Sequence, residues 1–200
     1  QKTAPAATRG GDWNKAETMS HSTHPLFELY GKTLGIVGFG HIGQTVSKLG
    51  AALGMKILVY SRTKRELPES YAWAELDALF KNADVVSLHC PLTDETRGLV
   101  NAERLSLMKP TAFLINTARG AVVDEAALAE ALNSGRIAGA GLDVFVHEPP
   151  KKDDSLLTAQ NCIVTPHIAW ASRDARVRLI KTVAENLKAF RNGTPQNVVS

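Results

Sequence analysis

This sequence of 200 residues has few long apolar runs, only two cysteines and a small net charge of +3. Gly, Lys or Asp interrupts every apolar stretch well before the roughly 18 residues that a membrane helix needs, so we predict no membrane span. Basic residues number 23 and acidic residues 20, which favours a small-molecule partner over nucleic acid. Cys90 and Cys162 lack redox or metal spacing, which is typical of a reducing, cytoplasmic location.

The start of the sequence lacks both an initiator methionine and an apolar signal segment. Residues 1–30 show little periodicity, so we expect an arm with one short helical piece near Trp13. His21 and His24 form an HxxH pair without the helical HExxH context, and we therefore predict no metal site. We interpret residues 1–30 as a linker from an upstream substrate domain that is missing or partial.

From Gly31 onward, segments typical of strands alternate with segments typical of helices. Because such alternation requires right-handed crossovers, it predicts an α/β fold with a doubly wound parallel sheet between helices. We expect this sheet domain to cover residues 31–171, and a C-terminal helix and tail, residues 172–200, to return to the substrate domain. The expected strands are 33–37, 56–60, 84–88, 112–116, 137–144 and 162–165, and the expected helices are 42–53, 73–80, 102–108, 125–132 (with Asp124 as N-cap) and 173–190.

A glycine-rich loop joins the first expected strand to the first expected helix: residues 38–43 read GFGHIG, a GxGxxG pattern. In this setting Gly38 permits the tight turn, Gly40 lets backbone N–H groups approach a pyrophosphate, and Gly43 lets helix and strand pack closely. The alternative is a plain glycine-rich turn. The pattern predicts a Rossmann-type dinucleotide-binding domain.

The end of the second expected strand carries no carboxylate to bind a ribose 2′-hydroxyl. Ser61, Arg62 and Thr63 stand there instead, followed by Lys64 and Arg65. Cations bind a 2′-phosphate that a carboxylate would repel, so we predict a preference for NADP(H). A solvated basic loop in an NAD enzyme is the alternative.

Four further motifs follow predicted strands at the sheet edge where ligands bind: HCPLT at 89–93, NTARG at 116–120, GLDVF at 141–145 and TPH at 165–167. With these motifs in this order, the sequence from Gly31 to its end strongly resembles the D-isomer-specific 2-hydroxyacid dehydrogenases. The resemblance implies an oxidoreductase that transfers a hydride between NAD(P)H and a small 2-keto or D-2-hydroxy acid.

The resemblance also implies a catalytic set of three residues. Arg119 would hold the substrate carboxylate, His167 would be the acid/base, and Glu148 would be the carboxylate partner of the histidine. This chemistry is reasonable because reduction of a keto acid needs a proton donor, and histidine titrates in the right range. The alternative is that Arg119 is only a surface charge, Glu148 a turn residue and His167 a histidine at a strand end.

Further cofactor contacts are implied by the same resemblance. His41 and Ile42 would cover the pyrophosphate, Cys90 and Pro91 would line the adenosine side, and Thr96 would lie near the cofactor. Thr117 and Asp143 would meet the nicotinamide end. Asp143 could instead cap a turn at its strand end.

The sequence is similar to one branch of the family in particular. Residues 167–171 and 195–199 resemble the glycerate dehydrogenase, or hydroxypyruvate reductase, branch, and Ser61-Arg62 resembles its NADPH-using glyoxylate and hydroxypyruvate reductases. Glu148 stands where formate dehydrogenases carry Gln, which disfavours formate. We expect reduction of hydroxypyruvate or glyoxylate. The alternatives are a D-lactate or 3-phosphoglycerate dehydrogenase and a dinucleotide-sensing, corepressor-like scaffold. The resemblance also implies a homodimer that forms through this domain.

Overall fold

The computed structural model describes residues 8–11, 13–17 and 26–198. In this part of the chain the strands are β1 Thr33–Val37, β2 Lys56–Tyr60, β3 Tyr71–Trp73, β4 Val85–Leu88, β5 Phe113–Asn116, β6 Gly139–Leu142 and β7 Cys162–Val164. The α-helices are α1 His41–Ala52, α2 Leu76–Asn82, α3 Ala102–Leu107, α4 Glu125–Asn133, α5 Ser155–Thr158 and α6 Arg173–Arg191. Short 3₁₀ helices cover Trp13–Lys15 and Gly120–Val122.

The strands form one parallel sheet in the order β3-β2-β1-β4-β5-β6-β7. The order reverses at β1, which pairs with β2 on one side and β4 on the other. At such a reversal the connections leave toward opposite faces, which opens a crevice at the carboxyl ends of the two central strands. The doubly wound α/β fold is therefore confirmed, and the glycine loop after β1 lies at its switch point.

Apolar side chains fill both faces of the sheet. Leu114 on β5 and Leu128 on α4 belong to the larger cluster, and Ile36 on β1 and Val59 on β2 belong to the smaller one, all with essentially no exposed surface. Parallel strands that are covered on both faces need such continuous apolar runs. The two clusters hold the strand ends, and the loops that follow them, in fixed positions.

The expected helix over 73–80 was wrong at its start. Residues Tyr71–Trp73 form β3, which pairs with β2 from Ile57 to Val59, and the helix begins only at Leu76. Trp73 also packs edge-on against Phe39, with ring centroids 6.2 Å apart. Aromatic residues suit a half-buried strand, and this pairing overrides the weak local preference for a helix. The helix over Ser155–Thr158 and the 3₁₀ turn at Gly120 were not predicted because they are too short to show a period.

The remaining expected strands and helices are confirmed within a few residues at each end. Asp124 caps α4 as expected, since its Oδ1 accepts the backbone N–H of Ala127 at 3.1 Å. The expected strand over 137–144 is shorter than predicted, because only Gly139–Leu142 pair with their neighbours. A short helical piece near Trp13 is present, and His21 and His24 lie outside the described residues.

The C-terminal helix α6 has the predicted length and carries apolar side chains such as Ile180 and Phe190, but none of its residues is buried. Ile180 and Phe190 are 70% and 73% exposed. Among the described residues no helix is both long enough and apolar enough to cross a bilayer.

Candidate active site

The glycine loop opens onto a cleft of about 300 Å³ between the segments that follow β1, β2 and β4. Its rim includes eight of the sequence-predicted cofactor residues: Gly38, Gly40, Ser61, Arg62, Thr63, Cys90, Pro91 and Thr96. His41, Ile42 and Gly43 lie in the first turn of α1 instead, and Thr117 follows β5 on the exposed surface. The cleft therefore gathers the residues expected at the adenosine side, whereas Thr117 lines neither this cleft nor the one described below.

Two glycines of the loop are needed for close backbone approach. A Cβ on Gly38 would lie 2.6 Å from the backbone N of Cys90, and Gly38 has a φ of +95°. A Cβ on Gly43 would lie 2.1 Å from the carbonyl oxygen of Gly38. Gly40 differs, because a Cβ there would meet no atom within 4 Å. Space is thus left in front of Gly40, at the N-terminus of α1, where backbone N–H groups favour an anion.

The residues available in this cleft fit a nicotinamide dinucleotide. The open approach at Gly40 and the helix N-terminus suit a pyrophosphate, and the hydroxyl and guanidinium groups of Ser61 and Arg62 suit a ribose and its substituents. Burial raises the pKa of the Cys90 thiol and lowers the pKa of His89 on the cleft floor, so both groups favour their neutral forms. Neutral groups of this kind line a cofactor site without adding charge to it.

Thr96 stabilises the loop on the far side of the cleft. Its hydroxyl donates to the carbonyl of Pro91 at 2.7 Å and accepts the backbone N–H of Thr93 at 2.8 Å. Three rim residues, Arg65, Thr93 and Glu95, were not named as site residues from the sequence. Arg65 belongs to the basic run that was recognised, whereas nothing in the sequence connects Glu95 to Arg62.

A second cleft, of about 320 Å³, brings together the three residues expected to carry catalysis. Arg119 follows β5, Glu148 belongs to the loop after β6 and His167 follows β7, and all three line this cleft. The Nδ1 of His167 lies 2.6 Å from the Oε2 of Glu148. An ionised carboxylate can only accept, so Nδ1 donates its hydrogen and Nε2 remains available to exchange a proton.

The Glu148 carboxylate is held in its ionised form. The hydrogen bond to His167 is the largest cause, followed by the backbone N–H of Phe145, which donates to Oε1 at 3.0 Å; together they lower the pKa of Glu148. Arg119 adds a smaller attraction of the same sign. A carboxylate that stays ionised and is bonded to the backbone keeps the histidine ring oriented.

Asp143 has a clear structural task. Its buried carboxylate accepts the hydroxyl of Thr165 at 2.6 Å and the backbone N–H groups of Ile168 and Ala169, each at 2.8 Å. Burial opposes ionisation, but these donors together lower the pKa of Asp143. These contacts are those expected if Asp143 caps the turn after its strand, the alternative named above. They fix the turn at His167, whose φ of +52° is unusual for a residue with a side chain.

The loop that carries Glu148 is anchored at two further points. Glu125, the first residue of α4, accepts the backbone N–H of Val146 on its Oε1 at 2.7 Å. Gly120 lies directly under the loop, and a Cβ there would lie 1.9 Å from the carbonyl carbon of Phe145. Glu125 was not predicted as a site residue, because only the folded loop brings it into contact with Val146.

The fold and the two adjoining clefts define a dinucleotide-binding domain that also carries an Arg, Glu and His set at the carboxyl ends of its strands. Residues 2–169 match the family model described as "D-isomer specific 2-hydroxyacid dehydrogenase, NAD binding domain". The chain therefore belongs to the D-isomer-specific 2-hydroxyacid dehydrogenase family, as the resemblance implied.

Individual relatives agree with this assignment. A hydroxypyruvate reductase of Blautia hydrogenotrophica is 45% identical over 95% of this chain and 60% of its own length. A glyoxylate reductase of Thermococcus litoralis is 47% identical over 98% of this chain and 61% of its own length. Among solved structures, an acyclic imino acid reductase in complex with NADPH and D-Arg has a TM-score of 0.85 at 35% identity, covering 98% of this chain and 61% of that one.

The chain thus spans about three-fifths of the length of these relatives. It is an NAD-binding domain of an oxidoreductase family, with a nicotinamide dinucleotide as its cofactor.

Proposed function

We propose that the protein containing this chain reduces hydroxypyruvate or glyoxylate to the corresponding 2-hydroxy acid with NADPH. One observation carries the proposal: His167, hydrogen-bonded to the ionised Glu148, shares a cleft with Arg119. The relatives named hydroxypyruvate reductase and glyoxylate reductase support the choice of substrate.

The three side chains have distinct tasks in this proposal. The planar guanidinium of Arg119 pairs with the carboxylate of a 2-keto acid and polarises its carbonyl. The bound cofactor supplies the hydride. His167 gives a proton from Nε2 to the carbonyl oxygen, and Glu148 orients the ring through its contact with Nδ1. Asp143 keeps the turn at His167 closed throughout.

For the cofactor we propose a preference for NADPH over NADH. No carboxylate stands directly at the end of β2, and Ser61, Arg62 and Arg65 line the cleft there. The guanidinium groups attract a 2′-phosphate, which carries close to two negative charges. We place Gly38, Gly40, His41, Ile42 and Gly43 at the pyrophosphate, and Thr117 and Asp143 toward the nicotinamide.

A screen of the full-length protein tests the proposal. It measures reduction of glyoxylate, hydroxypyruvate, pyruvate and 3-phosphohydroxypyruvate with each reduced cofactor, and His167→Ala serves as the control. We expect the highest kcat/KM for hydroxypyruvate or glyoxylate with NADPH, and loss of activity in the variant. Preference for pyruvate or the phosphorylated acid would reject this substrate assignment, and an inactive protein would favour a dinucleotide-sensing scaffold.

We further propose that residues 1–30 and 172–200 connect this domain to a substrate domain. The exposed apolar face of α6 supports this, since a face with Ile180 and Phe190 at 70% and 73% exposure is normally covered. Because that domain would form the other wall of the site, we expect the chain alone to bind cofactor but turn over poorly. Equal kcat for the chain and the full-length protein would contradict this.

We also propose a homodimer and a cytoplasmic location. Leu26, Phe27 and Tyr30 are 88%, 75% and 78% exposed, which offers an apolar contact surface next to the sheet. Cys90 and Cys162 are both free thiols, which fits a reducing compartment. Light scattering of the full-length protein tests the dimer, and a monomer mass would reject it.

A further inference from the structure

An ion pair crosses the mouth of the cofactor cleft. Arg62, from the segment after β2, and Glu95, from the loop after β4, lie on opposite lips, with Nη1 and Oε2 3.3 Å apart. Their side chains are 80% and 70% exposed, so the pair is weak and its members can exchange partners.

The other two cations of the same segment are arranged differently. Lys64 lies 4.0 Å from Glu75, and neither residue lines the cleft. Arg65 lines the cleft and makes no ion pair with any of the described residues. One guanidinium, that of Arg65, is therefore available at the cleft, while the other is already paired with a carboxylate.

We propose that Glu95 is a specificity-determining residue that limits binding of the 2′-phosphate by competing for Arg62. This inference rests on the proposed placement of the adenosine ribose in the cleft. A phosphate that pairs with Arg62 must break the ion pair and then lie beside the Glu95 carboxylate, which carries charge of the same sign. Among the residues that the structure describes, Arg65 has no such competitor, so it attracts the phosphate without opposition.

Glu95 acts in the opposite direction on NADH. Dinucleotide domains that bind NAD usually offer a carboxylate to the ribose 2′-hydroxyl from the end of the second strand. In this chain that strand end carries Ser61 instead, and Glu95 supplies the only carboxylate among the residues that line the cleft. It accepts the 2′-hydroxyl of NADH, so the same group favours one cofactor and disfavours the other.

Binding measurements on Glu95→Gln test the inference without any turnover. The dissociation constants of NADPH and NADH are measured by nicotinamide fluorescence in the full-length protein, without keto acid. In Glu95→Gln we expect the dissociation constant of NADPH to fall about threefold to tenfold, and that of NADH to stay equal or rise by up to about threefold. The changes are modest because the site is exposed and screened by salt.

Glu75→Gln is the matched control. It removes the same charge from a neighbouring ion pair that does not line the cleft. We expect its ratio of NADPH to NADH dissociation constants to stay within about twofold of wild type, since Glu75 does not line the cleft and its exposed charge is screened by salt. An equal gain in NADPH affinity in Glu75→Gln would mean a general charge effect and would overturn the inference.

The result separates this inference from the proposed NADPH preference. If wild type binds NADH more tightly but Glu95→Gln gains NADPH affinity, the preference fails and the role of Glu95 stands. If wild type prefers NADPH and Glu95→Gln binds NADPH no more tightly than wild type, the role of Glu95 is rejected and the NADPH preference stands. Absence of binding of either dinucleotide overturns both.

Discussion

Removal of the Glu125 side chain should loosen the loop that positions the acid–base pair. The Oε1 of Glu125 accepts the N–H of Val146, two residues before Glu148. In Glu125→Ala this N–H loses its acceptor, whereas in Glu125→Gln an amide oxygen replaces the carboxylate oxygen. An N–H that is left without its acceptor costs about 1–3 kcal/mol, and since Glu125 is only half-buried we expect Glu125→Ala to lose about 1–2 kcal/mol of unfolding free energy.

The charge of Glu125 contributes little to this anchor at neutral pH. Burial is the largest influence and raises its pKa above the ordinary 4.5, with Asp154 acting in the same direction and the Val146 N–H opposing. A raised pKa in the folded state means that the contribution is complete below the ordinary value and is lost as the pH rises through the raised one. At pH 7 we therefore expect Glu125→Gln to be as stable as wild type or slightly more stable.

Thermal unfolding and steady-state kinetics of the full-length protein measure both effects. We expect Glu125→Ala to lower the Tm by about 2–8 °C, as that loss of free energy implies for a chain of this size. We expect its kcat to fall about tenfold or more, because small displacements of a catalytic group are costly, while the cofactor dissociation constant stays within about twofold. Equal kcat in Glu125→Ala and wild type, or an equal loss in Glu125→Gln, would refute this reasoning.

Three other substitutions probe the clefts and the core. Gly40→Ala should leave the Tm unchanged, since its Cβ meets no protein atom, yet weaken cofactor binding about tenfold or more by titration; unchanged affinity would exclude a pyrophosphate there. Leu114→Ala should lower the unfolding free energy in urea by about 2–5 kcal/mol, because Leu114 has no exposed surface. Asp143→Asn should lower the unfolding free energy by about 1–3 kcal/mol at pH 7, because the carboxylate accepts buried hydrogen bonds. Because the pKa of Asp143 is lowered from 3.8, this difference should shrink as the pH falls through that lowered pKa; a gap independent of pH would contradict the assigned contacts.

The sheet and the glycine loop could be predicted because their signals are local. Buried parallel strands are short apolar runs, and the three loop glycines fall within six residues: backbone geometry requires Gly38 and Gly43, and Gly40 leaves room for an anion. β3 was missed because its strand character depends on pairing with β2 and on the contact of Trp73 with Phe39, neither of which is visible in a three-residue segment.

The proposed catalytic set could be named only through the resemblance, because its members are far apart in sequence. The structure adds the contact between His167 and Glu148, and it adds partners that no local pattern indicates. Glu95 meets Arg62 across 33 positions and Glu125 meets Val146 across 21. Such contacts depend on which loops the sheet order places side by side, and a single sequence carries no direct signal for them.

Replacement of His167 by Gln tests most directly whether His167 is the proton donor. We expect His167→Gln in the full-length protein to lower kcat/KM for hydroxypyruvate with NADPH at least about 100-fold, the usual contribution of a general acid, while the NADPH dissociation constant stays within about twofold of wild type. A kcat/KM within about tenfold of wild type would contradict the assignment of His167 as the acid/base of this site.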